Sequence, residues 1–280
     1  MSFRIMSRTE SSMTFLVEGV SAPLANTLRR IMHSEVPTMA IDDVVVIENS
    51  SVLHDEILAL RLGLIPLKTD LDAYNLPEEC ECRSELGCKL CRVILTLDVQ
   101  AEGSVRTVYS GDLVSEDPRI IPVSDRIPIV KLAPGQRIRL EAYAKLGRGK
   151  DHAKWQPVSA CVYRHVPIVE IDGKVCDACG ACVQVCPKKV LKKYGNSVEV
   201  ADLMSCTLCE DCVRACKKDP SAIKVMKKED SFIFYIEGTG SLPIERILTE
   251  GLKIYEKKFS EFVKKLMEIQ NEPQEAVEEH

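Results

Sequence analysis

One spacing of cysteines is repeated thirty residues apart: Cys176-x2-Cys179-x2-Cys182-x3-Cys186-Pro187 and Cys206-x2-Cys209-x2-Cys212-x3-Cys216. Together the two runs use eight of the chain's thirteen cysteines. Thiolates two residues apart on a tight loop reach neighbouring irons of one cubane, while the fourth cysteine, on the helical turn that follows, points to the other cluster. The spacing therefore predicts two crossed ligand sets for two [4Fe–4S] clusters. The first set is Cys176, Cys179, Cys182 and Cys216, and the second is Cys206, Cys209, Cys212 and Cys186. A disulfide framework is the bland alternative, and a doubled spacing of this kind argues against it. The second run departs from the pattern in one respect, since Lys217 and not proline follows Cys216. That leaves a [3Fe–4S] variant open at the cluster Cys216 ligates.

The cluster segment fills only about sixty of the 280 residues, so two or three compact units are expected. The cysteines lie in three groups, Met1-Ser2-Phe3-Arg4 does not read as a signal peptide, and no apolar run approaches the ~18–20 residues that span a bilayer. A reducing, cytoplasmic setting without membrane contact is the expectation. The net charge of −5 gives no whole-chain attraction to nucleic acid, although residues 172–229 carry eleven Lys/Arg against eight Asp/Glu. The third group is Cys80-x-Cys82-x5-Cys88-x2-Cys91. Four thiolates in twelve residues can close a tetrahedral zinc site, the first reading, with a redox-sensitive disulfide pair or free thiols as alternatives. Cys161, the remaining cysteine, reads as a small buried apolar residue.

Residues 3–6 and 14–19 around a Glu10-Ser11-Ser12 turn read as a β-hairpin. A helix should follow, with Ser21 and Pro23 at its start, an apolar face of Leu24, Leu28, Ile31 and Met32, and a polar face of Asn26, Arg29 and Arg30 before Pro37. Extended segments at 44–48, 93–99 and 137–145, with a short helix at 55–62, indicate a β-rich domain. The run Ser231-Phe232-Ile233-Phe234-Tyr235-Ile236 is apolar on both faces and should lie in a core. A last helix over 242–269 carries Ile244, Ile247, Leu248, Leu252, Tyr255, Phe259, Phe262, Val263, Leu266 and Ile269, a stripe that calls for a partner, packed within the chain or outside it. Residues 271–280 read as an acidic tail.

Three further stretches carry a resemblance. They are Ala25-Asn26-Thr27-Leu28-Arg29-Arg30-Ile31-Met32, then His54-Asp55-Glu56-Ile57-Leu58-Ala59-Leu60-Arg61-Leu62-Gly63-Leu64-Ile65-Pro66-Leu67, and Gly240-Ser241-Leu242-Pro243. With the domains between them they resemble, over nearly the whole chain, the D-type subunits of archaeal RNA polymerase, akin to the bacterial alpha N-terminal domain and the third-largest eukaryotic polymerase II subunit. The resemblance extends to the cluster insert that some archaeal members carry. It implies an α+β fold: a discontinuous dimerisation domain (1–42 and 229–270), an inserted β-rich domain with the four-cysteine loop (43–166), and an inserted ferredoxin-like two-cluster domain (167–228). The hairpin, the Leu24/Leu28/Ile31 helix and the last helix, with Ile247, Leu248, Tyr255, Phe259 and Phe262, would pack against the small L subunit. Asn26, Arg29, Arg30 and the Arg61–Leu67 loop would dock the second-largest subunit, where a guanidinium fork can bind carboxylates or carbonyls. Contacts with the small N and P subunits belong to the same expectation.

On this reading the chain is an assembly platform of a DNA-directed RNA polymerase and holds no catalytic residue. Two-metal polymerase chemistry needs clustered carboxylates, whereas Asp42-Asp43 and Glu210-Asp211 are isolated pairs. The clusters are then structural, or oxygen-sensing for assembly. A rival class is an electron carrier, which expects a flavin or nicotinamide site, yet Gly147-Arg148-Gly149 lacks a third glycine and the apolar helix behind it. A second rival is direct nucleic-acid binding through Lys188-Lys189, Lys192-Lys193 and Lys217-Lys218, which more often form a solvated face.

Overall fold

A computed structural model describes residues 1–84 and 87–271 of the chain; residues 272–280, nearly all of the expected acidic tail, lie outside the described residues. In chain order the elements are strands β1 (Ser2–Arg8) and β2 (Ser12–Glu18), helix α1 (Ala22–Ser34), strand β3 (Thr38–Asn49), helix α2 (Asp55–Gly63), and strands β4 (Arg92–Gln100), β5 (Arg106–Tyr109), β6 (Val114–Ser115), β7 (Pro128–Leu132), β8 (Arg137–Gly147) and β9 (Val158–Ile171). Helix α3 (Ala181–Val185), strands β10 (Leu191–Tyr194) and β11 (Ser197–Val200), helix α4 (Asp211–Arg214), strand β12 (Ile223–Gly238) and helix α5 (Ile244–Asn271) complete them. The fold is mixed α and β with several antiparallel pairings. Among the described residues no helix is long and apolar enough to cross a membrane.

The chain divides into two compact units. The first comprises Met1–Arg8, Thr14–Asn26 and Val162–Tyr235. Its sheet runs in the order β1-β2-β12-β9. Period-2 alternation sends Phe15, Phe232 and Phe234 to one face and Leu16 and Ile233 to the other. Phe15 stacks on Phe234 with centroids 5.1 Å apart, and Tyr163 meets Phe232 edge-on at 5.4 Å. Leu16, Val166 and Ile233 form a cluster on the opposite face. Phe232, Ile233, Phe234 and Ile236 are all buried, as a run apolar on both sides requires. The strand itself starts at Ile223, eight residues before the sequence run, because its charged first half is solvent-facing. Strand β9, absent from the sequence reading, contains Pro167; it sits at the sheet's edge, where a missing N–H is tolerated.

The second unit comprises Thr9–Met13, Thr27–Cys161 and Ile236 onward. Its main sheet is β3-β8-β4-β6, antiparallel throughout, with a smaller β5-β7 pair. The extended segment expected at 44–48 is a twelve-residue strand whose register shifts between Ile41 and Asp43 and between Val46 and Glu48. Met39, Ile41, Leu95, Leu97, Leu140 and Ala142 build its core, with Leu58 and Leu62 of α2 packed in. Helix α5 spans about 42 Å at 1.5 Å per residue. Its first half is buried through Ile244 and Ile247. A Cβ at Gly251 would lie 3.0 Å from Met32 Cγ, so glycine is what lets α5 approach α1 this closely, at ~1 kcal/mol of helix propensity.

Candidate metal centres and docking groove

The two cysteine runs repeat down to the backbone. Ala178 and Leu208, two residues after the first cysteine of each run, have φ of 53° and 59°; Gly180 and Glu210, after the second cysteine, have φ of 82° and 61°. Left-handed backbone costs ~1–2 kcal/mol at a residue with a Cβ, and three of these four positions carry one. Conformations of this kind turn successive amide N–H groups into a concave nest, a feature of many iron–sulfur sites. Each run then enters a short helix, α3 or α4, and the two helices pack together.

One hollow is lined by Cys186, Cys206, Cys209 and Cys212 together, with Pro187 and Val190 on its apolar wall. Burial raises the Cys212 thiol above its ordinary pKa, and the charges of Cys206 and Cys186 add to the effect. The fourth cysteine of the first run thus sits with the first three of the second. The Val190 N–H donates to Cys186 Sγ at 3.4 Å, and the Ala222 N–H donates to Cys216 Sγ at the same distance. In the other set Cys182 is buried, which raises its pKa, with Cys176 and Cys179 contributing. Lys218 Nζ pairs with Asp177 Oδ2 at 2.9 Å. That carboxylate raises the Lys218 pKa, and the charges of Cys179 and Cys216 raise it further. The second set lines one hollow with four soft sulfur donors, and Cys186 and Cys216 each accept a backbone N–H; thiolates of this kind fit an iron–sulfur cubane.

The third cysteine group is tighter. All four Sγ atoms of Cys80, Cys82, Cys88 and Cys91 lie within 4.8 Å of one another. Three of the separations are 3.7 Å (Cys80–Cys88), 3.8 Å (Cys82–Cys91) and 3.8 Å (Cys88–Cys91). Four sulfurs at ~2.3 Å from a tetrahedral zinc stand ~3.8 Å apart. The Cys88 N–H donates to Cys91 Sγ at 3.1 Å and the Leu90 N–H to Cys88 Sγ at 3.4 Å. A backbone N–H from Ser84 brings the Cys82 thiol down to about 7, whereas burial pushes Cys91 up to about 12. None of the thirteen cysteines is paired in a disulfide. Cys161 is buried, and burial pushes its thiol up to about 12.

The second half of α5 leaves Phe259 58% and Phe262 57% exposed, with Leu266 and Ile269, and Leu252 in the first half, also in solvent. Beside α1 these rings border a groove of about 300 Å³, lined by Thr27, Arg30, Ile31, Tyr255, Phe259 and Phe262, with the Glu35–Lys258 ion pair at its margin. Arg30 therefore shares this groove with the aromatic stripe. Ile31 and Ile247 are buried, while Leu24, Asn26, Leu28, Arg29, Leu248 and Tyr255 are half-buried. Arg61 Nη2 donates to the Pro128 carbonyl at 2.8 Å. Sequence reasoning passed over Asp177 and Arg164, and weighed Lys218 only as part of a basic pair, not as a neighbour of cluster cysteines. Asp177 and Lys218 stand one and two residues after cluster cysteines, which was a usable signal, but nothing in the sequence marks Arg164.

The family model of the RNA polymerase Rpb3/Rpb11 dimerisation domain matches residues 14–259. A DNA-directed RNA polymerase subunit Rpo3 from Archaeoglobus fulgidus is 39% identical over 266 residues, 95% of this chain and 98% of that protein. The Rpo3 of Methanosphaera stadtmanae is 42% identical over 260 residues, covering 92% and 96%, and that of Pyrococcus horikoshii is 39% identical over 268, covering 95% and 98%. With a match spanning both units and relatives aligned almost end to end, the chain belongs to the RNA polymerase Rpb3/Rpb11 dimerisation-domain family.

Proposed function

We propose that this chain is the cluster-containing, D-type subunit of an archaeal DNA-directed RNA polymerase, a non-catalytic platform on which the enzyme is assembled in a reducing cytoplasm. It pairs with the small L subunit along the α1–α5 face and docks the second-largest subunit and the small N and P subunits. The observation that carries this reading is the groove beside the bare aromatic stripe of α5 in a dimerisation-domain family member. Large exposed apolar stripes mark interaction sites, and obligate interfaces commonly bury more than ~2,000 Å². Asp42 is ion-paired with Lys145 and Lys154, and Asp211 with Arg214, which supports reading these acidic residues as structural charges.

In this reading the segment 167–228 is a ferredoxin-like domain holding two [4Fe–4S] clusters, with a three-iron form open at the set that includes Cys216. The clusters supply cross-linking of several chain segments and sensitivity to oxygen. The protein's own part is to hold eight thiolates in paired nests and to exclude water with Pro187, Val190 and Leu191. Cys80, Cys82, Cys88 and Cys91 hold a structural zinc. The test is an anaerobic pull-down of the tagged chain from its own cells through a stepwise salt wash. A stoichiometric small subunit with the large polymerase subunits supports the platform. A reductase or dehydrogenase without polymerase subunits overturns it and makes the clusters an electron path.

A further inference from the structure

The two cysteine sets are fastened to the first unit's sheet in different ways. Arg164 on β9 donates from Nη1 to the Cys206 carbonyl at 2.6 Å and from Nη2 to the Met204 carbonyl. Those carbonyls flank Ser205, the last residue of a tight 3-10 turn that delivers Cys206 to its site. The guanidinium fork reads both at once, which fixes the turn's orientation as well as its distance. Between these bonds the Met204 side chain packs on Leu16, Val166 and Ile233, one residue from each of β2, β9 and β12. Residues 204–206 are therefore fastened to the sheet by the Arg164 cation and by the packing of Met204 against that three-strand cluster. The approach to Cys176 is secured by main chain: the Val175 and Cys176 N–H groups donate to the Asp172 carbonyl, and the Asp172 N–H donates to the Ala222 carbonyl.

From this asymmetry we infer that Arg164 is a positioning residue that couples occupancy of the Cys186/Cys206/Cys209/Cys212 set, and not of the other set, to the order of the sheet. The inference rests on the reading that these cysteines hold a cluster. Coupling of this kind is reciprocal: if the strands hold Cys206 in place for the cluster, a bound cluster steadies the strands by the same factor. A loop released from the cluster would lose its anchor and free Met204 from Leu16, Val166 and Ile233.

The experiment uses the full chain, prepared anaerobically, in two backgrounds: Cys179→Ser, which leaves the second set intact, and Cys209→Ser, which leaves the first. Iron and acid-labile sulfide are counted, cluster loss in air is followed by absorbance, and hydrogen exchange is read over 163–167 and 230–234 with and without cluster. Arg164→Gln is expected to speed loss of the second set's cluster roughly ten-fold, the scale of a hydrogen bond to a charged donor. It should leave the first set's rate unchanged and abolish the slowing of exchange that cluster loading produces. Arg164→Lys, which keeps the charge but reaches one carbonyl, should fall between. Met204→Ala should show the same selectivity and serves if Arg164→Gln does not fold. Equal acceleration at both sets, at neither, or an undiminished exchange response in Arg164→Gln overturns the inference. A wild-type chain with no iron or sulfide refutes the cluster reading instead, so the two failures are distinguishable.

Discussion

Removing the metal from the Cys80/Cys82/Cys88/Cys91 loop should free the loop while leaving the β3-β8-β4-β6 sheet folded. The geometry sets the numbers. Three of the six S–S separations are 3.7, 3.8 and 3.8 Å, close to the ~3.8 Å edge of a regular tetrahedron whose corners stand about 2.3 Å from its centre, the length of a Zn–S bond. X-ray absorption at the zinc edge should therefore return four sulfurs at about 2.3 Å and no nitrogen, with one zinc per chain surviving dialysis. Chelation should loosen the packing of Leu76, which is buried just before the first ligand. Exposing one leucine costs about 2 kcal/mol. At ~2–4 °C per kcal/mol for a chain of this size, Tm should fall by about 4–8 °C. Hydrogen exchange should quicken over 76–92, while the strands around Leu95 and Leu140 stay protected. A mass two daltons low per bridge, marking a disulfide, or a chain that retains no metal would refute the tetrathiolate argument.

Other perturbations probe separate parts of the account. Changing both Phe259 and Phe262 to Asp should leave the isolated chain's Tm nearly unchanged, since both rings are already in solvent, but should weaken binding of its small partner by about a hundred-fold or more, measured by calorimetry. Phe234→Ala, which removes the ring stacked on Phe15, should cost about 3–5 kcal/mol in urea unfolding. Asp117 accepts from Arg119 Nη2 at 2.7 Å and from the Tyr74 hydroxyl at 2.5 Å, and Arg119 and Tyr74 together hold its carboxyl well below the usual carboxylate range. A depressed folded pKa contributes stability above the ordinary value of ~3.9 that is lost as pH falls toward the folded value. Asp117→Asn should therefore lower stability by about 1–2 kcal/mol at pH 6, and by progressively less as the buffer is taken below pH ~4.

The parts of this protein legible in its sequence are those set by local spacing. Cysteine intervals pointed to a fourth cysteine that crosses to the opposite run, because loop reach is a short-range property, and the hollow lined by Cys186 with Cys206, Cys209 and Cys212 agrees with that spacing for the first run. The apolar period of α5 gave both its length and its bare stripe. The left-handed residues were not legible, since Ala178, Leu208 and Glu210 are not residues that ask for positive φ; the surrounding loop imposes it. Strand β9 was hidden by Pro167 and by the polar run Tyr163-Arg164-His165, which its edge position beside β12 tolerates. Arg164 was invisible for a related reason. Its partners lie forty and forty-two residues away, and a charged residue in a strand carries no mark of a distant carbonyl.

The claim that the α1–α5 face is built for a second polypeptide is tested most directly by light scattering. The chain, co-expressed anaerobically with a small dimerisation-domain polypeptide from the same source, should elute as a 1:1 complex heavier than its own 31.2 kDa, and the double Phe259→Asp, Phe262→Asp change should return it to that mass. A wild-type chain that stays at 31.2 kDa beside its unbound partner would contradict the account.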